Sequence, residues 1–254
     1  MTLVEHLEEL RSTIIRVGLI LFVSFFVAYG LGEYIAEFLL TPLRGALGAK
    51  ASGQIVYLGL LDKVLAQLQV AFWTSILLSS PLWFWQVWRF IRPGLYTHEA
   101  RAVAPFLVVG FFLFWSGVAF GYYLVFPVTF EMLMAFGVGE VQAMISLRDY
   151  LVLASKVLVF LGVIFQLPNA MIVLGFMGVV TKQSLRKWRR YVYVAFGAVA
   201  ATITPPDIMT MSALWLPLVV LYEFGIWAVA LIVHPYLYRQ HMKSDSSAKS
   251  SGPD

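Results

Sequence analysis

Residues 103–128 run twenty-six positions without a charged side chain. As a helix such a segment is about 39 Å long at 1.5 Å per residue, enough to cross the roughly 30 Å hydrocarbon core of a bilayer. Lipid offers no partner to an open backbone group, so a spanning segment must satisfy its own hydrogen bonds. A helix does this and an open strand does not. The segment is not isolated. The chain is 60% hydrophobic and 13% charged, against roughly 25% charged in soluble domains. An all-α, polytopic membrane protein follows.

Six spans are read at about 14–31, 65–87, 103–128, 150–176, 191–203 and 212–233. The fifth is short. A turn signal, Thr204-Pro205-Pro206-Asp207, splits residues 191–233 into two short helices. Cations fix the orientation. Arg11, Arg16, Arg89, Arg92, Arg101, Lys182, Arg186, Lys187, Arg189, Arg190, Arg239, Lys243 and Lys249 fall on one side, and Arg44, Lys50, Lys63 and Arg148 on the other. The richer side is cytoplasmic, with both termini on it. The N-terminus is acidic and has no small-residue cleavage site, unlike a secretory signal.

Pro81, Pro105, Pro127, Pro168 and Pro217 fall inside spans, where each removes a backbone donor and favours a kink. Kinked helices enclose concave surfaces. Gly117 and Gly121 form a GxxxG pair, a signal for close helix contact. The outer loop at 33–62 is long enough to hold helix. Residues 1–238 read as one membrane domain and 239–254 as a disordered cytoplasmic tail. There is no internal repeat.

Enzyme chemistry finds no footing. Cysteine is absent, which excludes disulfides and thiol catalysis. His98-Glu99-Ala100-Arg101-Ala102 begins like HExxH but lacks the second His, and no phosphate-binding glycine loop occurs. No metal or cofactor is expected, and the dispersed cations do not form a nucleic-acid footprint. What remains are polar groups in spans: Glu223 in the sixth, Lys156 and Gln166 in the fourth, Gln67 and Gln69 near the start of the second. An ionisable residue in a span is a functional candidate by default. Lys156 lies near the outer end and can snorkel. Glu223 lies nearer mid-span, to be protonated or paired with Lys156 or a backbone donor. With Gln166 these two would form the midplane site of an ion-coupled secondary transporter, the alternative reading.

The first turns pose a separate question. "HLEELR" at 6–11, preceded by Glu5, puts three acids on the cationic side. Thr2-Leu3-Val4-Glu5 has capping-box form, so Glu5 serves a helix start. Leu3, Leu7, Leu10 and Ile14 make an apolar face, expected to lie at the membrane surface as an amphipathic lead-in. Glu8 and Glu9 gain about 0.3–1 kcal/mol from the helix dipole, which accounts for acids there but not for acids among cations. Glu99 is a second isolated acid on that side. Glu9 and Glu99 together form a candidate acidic site for a cationic ligand.

The ordered set "HLEELR" at 6–11, "LTPL" at 40–43, "SSPLWFWQVWRFIRPGLYTHEAR" at 79–101, "VFP" at 125–127, "FQLPNA" at 165–170, "LRKWRRYV" at 185–192 and "TPPD" at 204–207 closely resembles the TatC family of twin-arginine translocase subunits. The resemblance runs through nearly the whole chain except the tail. It implies a receptor, not an enzyme, in the cytoplasmic membrane. Such a receptor binds signal peptides carrying an arginine pair on folded cargo. It works with single-span TatA- and TatB-type partners in homo- and hetero-oligomers, driven by the proton motive force. Glu9 and Glu99 match the family's signal-binding carboxylates, with Glu8 secondary, and Phe90, Pro93 and Leu95 match loop residues around that site. Gln166, Thr202, Thr204 and Asp207 match the partner-docking region. Some members carry Glu at the position of Gln166, and the neutral side chain here carries no proton. The surrounding cations suit anionic lipid headgroups.

Overall fold

The computed structural model describes residues 3–47, 55–92, 97–135, 144–203 and 208–233; at 3–6, 46–47, 97–102, 132–135 and 203 it describes the backbone alone. The expected tail, the 204–207 turn, Pro93 and Leu95 lie outside the described residues.

The first helix, α1, runs unbroken over Leu3–Gly30. This corrects the expectation of a separate lead-in on the membrane surface. No proline interrupts the stretch, so the amphipathic start and the span are one helix, about 42 Å long. It therefore projects beyond a 30 Å core. Its buried and half-buried positions include Glu9, Thr13, Val17, Ile20, Ser24 and Ala28, a helix-spaced stripe that marks the packed face. Leu19, Phe22 and Phe26 on the other side are more than half exposed, as lipid-facing residues should be.

Helix α2 (Gly32–Leu47) fills the outer loop. Pro42 lies inside it and has no N–H to give the carbonyl four residues back. That carbonyl belongs to Phe38, and the Tyr122 hydroxyl donates to it at 2.9 Å. The Tyr150 hydroxyl likewise donates to the Leu39 carbonyl at 2.5 Å. The proline thus exposes acceptors that tie α2 to later spans. Two short strands, β1 (Ile55–Val56) and β2 (Ile145–Ser146), pair in parallel. They are a local departure from an otherwise helical chain.

The second span is bent. Helices α3 (Asp62–Leu78) and α4 (Ser80–Ile91) meet at 56°. Pro81 sits in the first turn of α4 and cannot donate back to Leu77. Serine hydroxyls take up carbonyls near the break: Ser79 Oγ donates to Ser75 at 2.6 Å and Ser75 Oγ to Phe72 at 2.7 Å. Helix α5 (Thr97–Phe120) continues through a π-helical turn at Gly121–Val125 into α6 (Phe126–Ala135). The wide turn falls just before Pro127, whose missing donor loosens the ladder there. The fourth span, expected as one helix, is two: α7 (Leu147–Ile164) and α8 (Leu167–Phe176), with Pro168 in the first turn of α8.

Helix α9 (Lys182–Ile203) carries the fifth apolar stretch in its second half, and α10 (Ile208–Ala228) ends in a π-helical turn at Val229–Val233. Among the described residues four helical segments are long and apolar enough to cross a membrane, five if the bent α3–α4 pair is one span. The count of six rests on α9, whose apolar part alone is too short.

The GxxxG pair makes the expected close contact. A Cβ on Gly117 would lie 2.7 Å from the Leu161 carbonyl oxygen, and one on Gly121 2.7 Å from Leu161 Cδ1. Helices α5 and α7 therefore meet nearly backbone to backbone. At the outer end Asp62 accepts from Gly59 N at 2.6 Å and pairs with Arg148 at 3.2 Å, joining the starts of α3 and α7.

Candidate functional site

The site at the start of the chain is built on α1 and α4. Gln67 Nε2 donates to the Tyr29 carbonyl at 3.3 Å, which sets the end of α1 beside the beginning of α3. The helices pack antiparallel, and α1 also packs on α4. Twenty residues back along α1 lies Glu9; nineteen residues on along α3–α4 lies Gln86. The 56° bend between α3 and α4 intervenes, so the packing of α4 on α1 is what relates the two. On α4 Trp83, Gln86 and Phe90 are half-buried, while Leu82, Trp85 and Arg89 are exposed. Glu9 lies on the covered stripe of α1. Glu9 and Gln86 thus lie on two helices that pack together.

Glu9 Oε2 and Gln86 Oε1 are both buried and have no hydrogen-bond partner among the described residues. A buried acceptor without a donor costs about 1–3 kcal/mol, more for a charged group. Each is a position that gains by receiving a donor. Glu8 is exposed. Glu99 falls in the first turn of α5, its side chain outside the described atoms. Phe90 is half-buried in the last turn of α4.

The α5-facing side of α4 lines a groove of about 370 Å³ with α5 and α8. Trp83, Trp88, Phe106 and Val173 make it apolar. Gln166 and Asn169 are its polar edge. Gln166 is not an open polar group: Nε2 donates to the Gly110 carbonyl at 2.8 Å and Oε1 accepts from Asn169 at 3.3 Å. Asn169 Oδ1 is left buried without a partner.

The two ionisable span residues do not meet. Lys156 is exposed, which fits snorkelling. Glu223 accepts from Arg189 Nη2 at 2.5 Å and from the Tyr193 hydroxyl. The expectation of a Lys156 or backbone partner is corrected: the cation comes from α9, one turn before Tyr193. No midplane ion site is assembled from Glu223, Lys156 and Gln166. Thr202 is exposed on α9 and donates to the Val199 carbonyl at 2.8 Å. Thr204 and Asp207 lie outside the described residues. Helix α10 packs against both α8 and α9.

Sequence reading passed over Gln86, Asn169 and Arg189. Gln86 had a signal: it is seven residues after Ser79, the one amide in "SPLWFWQVWRFI". Arg189 was hidden in a basic run that reads as topology.

The family model for "Sec-independent protein translocase protein (TatC)" matches residues 5–217. The chain belongs to the TatC family. TatC of Desulforapulum autotrophicum is 38% identical over 223 residues, 87% of this chain and 82% of that one. TatC of Magnetococcus marinus is 39% identical over 226 residues, 89% and 82% of the two chains. A crystal structure of the twin-arginine translocase receptor TatC superposes with a TM-score of 0.78 at 28% identity, covering 89% of this chain and 99% of that one. Membership makes this TatC chain a multi-pass component of a protein translocase, not an enzyme.

Proposed function

We propose that this chain is the signal-recognising receptor of a twin-arginine export system, and that the Glu9 seam is where the arginine pair binds. The observation that carries the reading is the buried, unpartnered carboxylate oxygen of Glu9, on a helix whose next turns carry Arg11 and Arg16. A guanidinium supplies five donors in a planar fork matched to a carboxylate. Glu9 takes one arginine and Glu99 the other, with Glu8 in support and Phe90, Pro93 and Leu95 bordering the site. The apolar segment of the signal lies in the groove between α4, α5 and α8. TatA- and TatB-type single-span helices dock at the outer end of α9 and α10, at Thr202, Thr204 and Asp207, with Gln166 as the neighbouring polar contact. The proton motive force drives transport. The membrane is the cytoplasmic one, with both termini inside and the basic positions against anionic lipid.

The test is peptide affinity for the protein purified in detergent. Glu9→Gln and Glu99→Gln each weaken binding of an arginine-pair peptide, by about 1.5–3 kcal/mol per lost charged hydrogen bond. The double change is non-additive because the arginines are adjacent. Wild-type affinity in both variants rejects the reading.

A further inference from the structure

At the Gly30 end of α1, away from Glu9, α2, α3 and the start of α7 enclose a cavity of about 360 Å³. Glu33, Glu37 and Arg44 of α2 and Lys63 of α3 line it, all four exposed. Leu40, Ala66, Val70 and Leu151 line it too, and these are buried. The cavity thus has a charged rim and an apolar floor. The charges satisfy one another poorly. Arg44 Nη1 stands 3.8 Å from Glu37 Oε1, with the two side chains 54% and 69% exposed. Glu33 and Lys63 make no ion pair among the described residues, and neighbouring Asp62 is committed to Arg148. Beside the cavity, α3 turns an apolar ridge outward. Val64, Leu68 and Phe72 recur every four residues and are exposed, so they share one face of the helix.

We propose that this cavity holds the headgroup of a phospholipid carrying both a phosphate and a primary amine, with an acyl chain laid along Val64, Leu68 and Phe72. The signs of the rim decide the class. Two acids and two bases repel part of any singly charged head: an anion meets Glu33 and Glu37 as well as Lys63 and Arg44, and a cation the reverse. A zwitterion meets both signs at once. Its phosphate accepts from Lys63 and Arg44, and its ammonium donates to Glu33 and Glu37. A trimethylammonium has the same charge but no N–H to give, so the primary amine is preferred. The ridge argues for a lipid over a soluble zwitterion. From Val64 to Phe72 the helix advances about 12 Å, an apolar track that leads from the headgroup toward the bilayer interior. The site uses no residue of the receptor reading and stands or falls apart from it.

The experiment uses the full chain in detergent. The probes are phosphatidylethanolamine, phosphatidylcholine and phosphatidylglycerol with the same acyl chains, and the soluble headgroup glycerophosphoethanolamine. Bound lipid is counted by native mass spectrometry, and the unfolding temperature is read with each probe. Wild type retains phosphatidylethanolamine in preference to the other two lipids, and the soluble headgroup stabilises much less. Lys63→Ala and Glu33→Gln each weaken phosphatidylethanolamine binding about threefold, as suits exposed charges. Lys63→Arg keeps it. Glu33→Gln does not weaken phosphatidylglycerol binding, because it removes a repulsion. Both side chains are exposed, so the variants fold, and unfolding without added lipid matches wild type. The proposal is overturned if phosphatidylcholine or phosphatidylglycerol binds as well as phosphatidylethanolamine, or if neither Lys63→Ala nor Glu33→Gln changes binding. It is also overturned if the soluble headgroup stabilises as strongly as the lipid, which makes the cavity a site for a water-soluble zwitterion.

Discussion

Arg189 and Glu223 are joined across α9 and α10 by a 2.5 Å hydrogen bond, with the Tyr193 hydroxyl on the second carboxylate oxygen. The pair is about a third exposed on each side, 36% and 30%. It anchors the basic start of α9 to the last span. Trp215 Nε1 donates to the Tyr193 carbonyl at 2.9 Å and the Tyr222 hydroxyl to the Leu185 carbonyl at 2.9 Å. The cluster reads as a structural clasp.

Glu223→Ala is therefore expected to lower the stability of the detergent-solubilised protein by about 1.5 kcal/mol, the low end for a charged hydrogen bond because solvent screens the pair. Arg189→Met costs a similar amount, and the two are not additive. Thermal unfolding of the four-member cycle checks this. Peptide binding is unchanged in Glu223→Gln; its loss would return Glu223 to a direct role.

Gly117→Ala forces a Cβ to within 2.7 Å of the Leu161 carbonyl oxygen, so α5 and α7 must separate. The expected cost is about 1–3 kcal/mol, read as a lower unfolding temperature. Gly18→Ala meets nothing within 4 Å and serves as the neutral control.

Ala170 lies at the groove between α4, α5 and α8. Ala170→Trp occupies space assigned to the signal's apolar segment. Affinity for a long peptide carrying that segment falls about tenfold, while a short peptide with only the arginine pair binds as before. Equal binding of the long peptide places its apolar segment elsewhere.

Orientation is accessible because the chain has no native cysteine. Lys187→Cys is labelled from the cytoplasmic side and Leu60→Cys, at a position 99% exposed, from the outside. The reverse pattern inverts the whole topology.

The helices were legible because hydropathy and proline are local signals. The run at 103–128, the kink prolines and the GxxxG pair each act within one or two turns. Partners were harder. Glu223 announced itself as a charge in a span, but its cation came from Arg189, thirty-four positions earlier. Gln166 looked open in sequence and is satisfied by Gly110, fifty-six positions away. The acids of the first turns pointed to a candidate site, whereas the unpartnered Gln86 Oε1 is visible only in the fold.

The 56° bend at Ser79 leaves α4 a twelve-residue rod with two flanks, one packed on α1 and an apolar one toward α5 and α8. On the proposed receptor reading, a peptide touching both flanks has to wrap around the rod's tip near Ile91. A helix is about 10 Å across, and an extended chain covers about 3.3–3.6 Å per residue. Roughly three residues must then separate a peptide's cationic pair from its oily stretch. On that reading the short helix would act as a gauge, accepting sequences by the distance between two chemistries as well as by the chemistries themselves.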